Sequence, residues 1–186
     1  MPNYCNYSMC VVGRKENVEE FIKVIEADYD YGSMEFSHDR HMFRVFEAEV
    51  NEIEERYAGV YQAIISGYCA WSVHSCMLEG GYYEDFKKSF GANFKGTTLI
   101  LESERLDIDI EVFSEESGMC FQEHYIIREG KMCCNECVDW TEYWIDDYET
   151  KEEAESELGI EITDEEWDSG DACFSRGGFD NWDFEI

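Results

Sequence analysis

The residues best suited by type and spacing to do chemistry are those of the run Cys133-Cys134-Asn135-Glu136-Cys137. Cys134 and Cys137 have the two-residue spacing of a zinc half-site, because thiolates at that separation reach one tetrahedral ion where the chain turns. A closed site needs two more ligands, and the other candidates (Cys5, Cys10, Cys69, His74, Cys76, Cys120 and His124) contain no second pair of this kind. On an extended strand Cys133 and Cys137 share one face and Cys134 takes the other. Cys134 and Cys137 are therefore weak metal candidates, buried structural thiols are the expected role, and no metal or cofactor is expected.

A cysteine nucleophile needs a base within hydrogen-bond reach. His74 and Cys76 stand two residues apart, about 6.6 Å on a strand, and Cys120 and His124 about 13 Å. No G-x-S-x-G elbow or glycine-rich phosphate loop accompanies them, so no enzyme is expected. His38 and His41 flank Asp39 in a polar stretch and read as loop histidines. The acidic run from Asp164 to Asp171 invites a calcium reading but fails it. An EF-hand loop starting at Asp164 would need Gly at Ser169 and Glu at Ser175.

What the sequence does concentrate is acid. Asp and Glu total 44 against 14 Lys and Arg, a formal charge of −30 over 186 residues. Residues 139–186 hold 18 acids and two bases, Lys151 and Arg176, so a net of −16 falls in the last quarter. Between Glu152 and Glu166 lie eight carboxylates: Glu152, Glu153, Glu155, Glu157, Glu161, Asp164, Glu165 and Glu166. Taken as one helix this stretch carries about one charge per 2.6 Å, against about one per 3.4 Å along one DNA strand. Asp168 continues the run, and Trp144, Trp167 and Trp182 are interleaved as candidate anchors. Such a surface repels phosphate backbones and excludes direct nucleic-acid binding. No apolar run approaches the ~20 residues of a membrane helix, and the opening lacks the pattern of a signal peptide. With nine cysteines and no export signal, a reducing cytoplasmic setting is expected.

The elements that must position these groups follow from periodicity. Cys5, Tyr7, Met9 and Val11 alternate along a strand from Tyr4 to Val12. Val18, Phe21, Ile22, Ile25 and Tyr29 form one stripe of a helix from Lys15 to Tyr29. Met42–Val50 reads as a second strand, Tyr61–Met77 as one or two buried strands, and Tyr83–Phe90 as a short helix extended by Thr97–Leu106. Ile108, Ile110 and Val112 alternate with Asp107, Asp109 and Glu111, which predicts a strand with an acidic, exposed outer face. Met119–Arg128 and Met132–Trp140 are strands joined by a tight turn at Glu129-Gly130. Lys151–Leu158 is a charged helix ended by Gly159. The sum is an α+β fold, a mostly antiparallel sheet with helices on one face.

The opening Met1-Pro2-Asn3-Tyr4-Cys5, with Met9, Val11 and Gly13 before an amphipathic helix, resembles the YubB-like family of plasmid and phage proteins. The amino terminus of that family reads roughly M-x-N-W/Y-C-x-N-x-L/M-x-V-x-G; Tyr7 stands here in place of its second Asn. Phe113-Ser114-Glu115-Glu116-Ser117-Gly118 with Phe121 resembles the family's strand-turn-strand. The resemblance covers residues 1–130 loosely and implies a ferredoxin-like fold and a mobile-element origin, without a mechanism.

The organisation expected is a ferredoxin-like α+β domain over 1–140 and an acidic, aromatic-rich C-terminal extension over 141–186. The function expected is an anti-CRISPR-type inhibitor, encoded by a phage or plasmid, that mimics nucleic acid. Its partner would be the basic groove of a CRISPR effector or other defence nuclease in the host cytoplasm. A cysteine-bound zinc module with incidental acidity is the alternative.

Overall fold

The computed structural model describes residues 3–30, 35–79, 96–169 and 173–186. The alternating apolar residues of the opening form β1 (Tyr4–Gly13), whose Cys5, Tyr7, Met9 and Val11 enter the core. α1 (Lys15–Ile25) buries Val18, Phe21, Ile22, Val24 and Ile25. It stops four residues short of Tyr29, which instead pairs in β2 (Tyr29–Asp30) with β3 (Glu35–Phe36). After β4 (His41–Met42) comes a long hairpin, β5 (Val45–Tyr57) and β6 (Val60–Ala70). A π-helical turn follows over His74–Leu78 where a strand was expected. The helix expected over Tyr83–Phe90 lies outside the described residues.

The second half alternates as expected. β7 (Gly96–Thr97) pairs with β4. α2 (Leu99–Leu106) begins at Thr98, whose hydroxyl accepts from Leu101 N, and ends at Asp107 in the left-handed region. β8 (Asp109–Glu116), β9 (Phe121–Arg128) and β10 (Lys131–Trp144) form a meander, with Glu129 and Gly130 at positive φ in the tight turn. α3 (Lys151–Leu158) is capped by Thr150 and closed by Gly159 at φ 70°. α4 (Asp164–Ser169) and β11 (Cys173–Gly177) complete the chain.

Seven strands form one antiparallel sheet in the order β11-β10-β9-β8-β1-β6-β5. Within it, β1-α1-β5-β6-α2-β8 is a split βαβ unit with spatial order β8-β1-β6-β5. Both helices lie on one face, and a single core joins Met9, Phe21, Ile65, Leu99, Ile110 and Ile127. The hairpin crosses this region so closely that a Cβ on Gly67 would lie 2.0 Å from the Glu47 carbonyl oxygen, so only glycine fits.

Two expectations need correction. The boundary at 140/141 falls inside β10, and β11 pairs with β10 through Trp140↔Gly177 to Trp144↔Cys173. Residues beyond 140 are thus part of the sheet. A small second core of Ile145, Ala154, Leu158 and Ile162, flanked by Tyr143, Tyr148 and Trp167, holds α3 and α4. The outer face of β8 is not uniformly exposed either. Glu111 is fully buried, because the segment 178–186 crosses the helix-free face and covers it.

Candidate functional site

The helix-free face of the sheet carries the groups with chemical potential. Strand pairing across a sheet puts paired residues on the same face, and two β-bulges decide which ones these are. The hairpin after Arg128↔Lys131 starts in a register that would bring Cys133 and Cys137 to the face of His124. A bulge between Met132 and Cys134 adds one residue, so that His124 instead pairs with Glu136 and Ile126 with Cys134. Cys137 pairs with Glu123 on the opposite face. The Cys134/Cys137 half-site is therefore not assembled, because β10 runs extended through it. Cys134 and Glu136 meet His124 instead.

His124 Nε2 lies 2.8 Å from Glu111 Oε1. With Nε2–H donating to that carboxylate oxygen, Nδ1 is the ring nitrogen left facing β10. That nitrogen stands 3.7 Å from Cys134 Sγ, and ligand atoms of His124, Cys134 and Glu136 all lie within 4.8 Å of one another. The ring is stacked on Phe113 at 4.0 Å, and Phe179, Trp182 and Phe184 pack round Phe113. Glu111 Oε2 accepts from the backbone N–H of Glu185 and Ile186, at 2.6 and 3.1 Å. Burial, and then Glu136, Glu111 and Glu185, push the Cys134 thiol up from its ordinary value. Burial, Glu123 and Asp139 do the same to Cys137. A nucleophilic cysteine requires the opposite, an electropositive setting that favours thiolate.

The other cysteine–histidine pairings do not form. The Cys76 thiol is buried and donates to the Ala70 carbonyl at 2.7 Å, while His74 is half-exposed beside Glu79. His41 is buried and stacked on Phe36, not a loop ligand.

The acids of the appendage divide by task. Gly159 splits their stretch into two short helices, so the continuous helical charge ladder does not exist. Glu155 accepts from Ile162 N, Glu153 from Glu149 N, and Glu166 from Thr163 N and Oγ1. Asp164 pairs with Lys151 at 2.7 Å, a hydrogen bond that draws its carboxyl below the usual range. Glu152, Glu157, Glu161, Glu165 and Asp168 are exposed. Of the three tryptophans, Trp144 is 46% exposed. Trp167 packs on the small core and Trp182 on Phe113, so these two serve the fold.

A second acidic array lies on β5, the sheet edge, and sequence periodicity missed it. Simple alternation puts Glu47 and Glu49 on one face and Glu52 and Glu54 on the other. A bulge between Val50 and Glu52 reverses the parity, so these residues oppose Tyr68, Ser66, Ile64 and Gln62 on one face. All four are exposed. Opposite the run from Tyr68 to Gln62 they are set about 7 Å apart. At one end Tyr4, Phe46 and Tyr68 form an aromatic cluster with centroids 5.2–6.2 Å apart. Tyr4 is 57% and Phe46 39% exposed. The density of glutamate over 47–55 was the available signal; its one-sidedness was not.

The chain matches no protein-family model, no curated protein and no solved structure. Among the described residues, no helix is long and apolar enough to cross a membrane.

Proposed function

We propose that this protein is a binding protein that presents acids to the cationic groove of a nucleic-acid-handling partner, as a nucleic-acid mimic. The observation that carries the reading is the one-sided row Glu47, Glu49, Glu52 and Glu54, set beside exposed aromatics. Its spacing of about 7 Å is roughly twice the ~3.4 Å per charge of one DNA strand, so alternate phosphates are the ones it would match. Charge supplies steering and the rings supply the desolvated anchor that charge lacks. The appendage adds Glu152, Glu161, Glu165 and Asp168 with Trp144.

In its finer form the proposal is an anti-CRISPR-type inhibitor, of ferredoxin-like fold and phage or plasmid origin, whose target is a CRISPR effector or other defence nuclease in the host cytoplasm. The split βαβ unit supports that fold, and the origin rests on the resemblance of residues 1–13 to YubB-like proteins. Competition for a guide or target groove is the mechanism such a surface would use.

The test is association and dissociation rates against purified effector nucleases at about 50 and 300 mM salt. Reversal of Glu47, Glu49, Glu52 and Glu54 to Lys should slow association far more than any single reversal, since exposed pairs are each worth about 0.2–1 kcal/mol. An affinity unchanged by salt and by the fourfold reversal sinks the mimicry.

A further inference from the structure

We propose that His124 Nδ1, Cys134 Sγ and the Glu136 carboxylate form a three-ligand site for a divalent metal ion of zinc's type, with the fourth position open to water or an incoming thiol. Three independent features of the geometry carry this. The first is distance. A tetrahedral ion with Zn–S of about 2.3 Å and Zn–N of about 2.05 Å sets its sulfur and nitrogen about 3.6 Å apart. The observed separation of Cys134 Sγ and His124 Nδ1 is 3.7 Å, and the Glu136 oxygen lies within 4.8 Å of both.

The second is the outer shell. Histidines that bind metal donate their other ring N–H to a carboxylate, which fixes the ring and the tautomer. Glu111 does this for His124 at 2.8 Å, and is itself fixed by the Glu185 and Ile186 backbone. With the ring so held, Nδ1 is turned toward β10. Here it faces the one thiol that the β10 bulge turns to this side.

The third is charge and softness. Thiolate and carboxylate contribute two negative charges, which a divalent ion cancels, and thiolate with imidazole selects zinc-like ions over calcium or magnesium. Binding is accompanied by loss of the thiol proton to solvent, a displacement without redox change. The ion would clamp β9 to β10 beneath residues 178–186, a role apart from the acidic edge on β5.

The experiment uses the full chain, loaded with one equivalent of zinc and dialysed against millimolar calcium, which displaces ions held only by surface carboxylates. One zinc per chain is expected to remain. Cobalt substitution should give a thiolate-to-cobalt charge-transfer band that Cys134→Ser abolishes and Cys137→Ser preserves. Glu136→Gln, at an exposed position that leaves folding intact, should weaken zinc at least about 10-fold, and Glu111→Gln by about 10–100-fold. Loss of zinc on dialysis, retention by folded Cys134→Ser, or equal loss in Cys137→Ser overturns the site.

Discussion

Phe113 ties the 178–186 segment to the sheet through its aromatic contacts, alongside the hydrogen bonds to Glu111 and Gln122, and its truncation tests that tie. The ring is 4% exposed and meets Phe179, Trp182 and Phe184 at 5.8, 5.8 and 5.9 Å. Removing a buried phenylalanine to alanine costs about 3–5 kcal/mol. Part of that cost belongs to the three ring pairs, each worth about 0.5–1.5 kcal/mol beyond area burial, or about 1.5–4.5 kcal/mol together. Deleting residues 179–186 removes the same pairs from the other side while leaving all seven strands. The two changes must therefore be strongly non-additive. A cycle of four proteins (parent, Phe113→Ala, the deletion, and both) unfolded in urea should give a coupling of at least about 1.5 kcal/mol. Phe113→Ala should cost correspondingly less in the shortened chain. Circular dichroism reads the sheet, and tryptophan emission reads the loss of the Trp182 stack. Additivity within about 0.5 kcal/mol, the behaviour of independent sites, would refute the docking of this segment.

Burial lowers His41 to about 4, below the ~6.5 of an unfolded chain. The unfolded state then binds more protons between these values, so stability should fall as pH drops from about 6.5 to 4, by about 3 kcal/mol in all. Urea midpoints against pH check this, and His41→Gln should flatten the slope; an identical slope removes His41 as its source. Glu102 is fully buried. Burial raises its carboxyl, but Thr97, Arg105 and Arg40 donate to it and outweigh burial, leaving the group lowered. Glu102→Ala should cost about 1.5–3 kcal/mol through the lost charged hydrogen bonds, since Arg40 and Arg105 still reach water and Arg105 still faces Glu20; a loss under 1 kcal/mol in thermal or urea unfolding would show the network to be slack. Cys134 and Cys137, both raised, should react with iodoacetamide at pH 8 more slowly than free cysteine, and mass spectrometry that found either one faster would contradict the electrostatics of the site.

The parts of this fold that were legible in sequence are those fixed by local physics. β1 and the α1 stripe follow from periodicity, the β9–β10 turn from Glu129-Gly130, and the end of α3 from Gly159. What could not be read depends on one-residue events in pairing. Without the bulge at Met132/Cys134, the register runs to the wrong cysteines, and Cys134 gives no sign of facing His124. Without the bulge at Val50/Glu52, the β5 glutamates read as two-faced and ordinary. A bulge is selected by twist and by what packs across the strands, neither of which a single segment displays. The burial of Glu111 was illegible for a related reason. Ile108, Ile110 and Val112 correctly announce one apolar face, but periodicity is silent on whether a segment more than 60 residues downstream covers the other.

The distribution of carboxylates separates acids that build the fold from acids available to a partner. Glu102, Glu111, Glu116 and Glu123 are buried. Glu123 is held by Val73 N, Ser114 Oγ and Tyr125 OH, and Glu116 by Gly118 N and Met119 N. Glu116 and Glu123 are thus held by neutral donors, unlike Glu102 with its two guanidiniums, and the chain as a whole carries a formal charge of −30. The exposed glutamates of β5 therefore sit in a repulsive potential and cost the fold stability. Reversing Glu49, Glu52 and Glu54 to Lys should then raise the melting temperature while weakening the partner. An edge strand also keeps charge simply to prevent edge-to-edge pairing, and this ordinary role makes a different forecast. Lysine blocks pairing as well as glutamate does, so under it the reversal leaves partner binding untouched and the chain monomeric. Thermal unfolding, light scattering and binding of the same triple variant decide between them: opposite signs for stability and affinity support recognition, and unchanged affinity assigns the row to solubility alone.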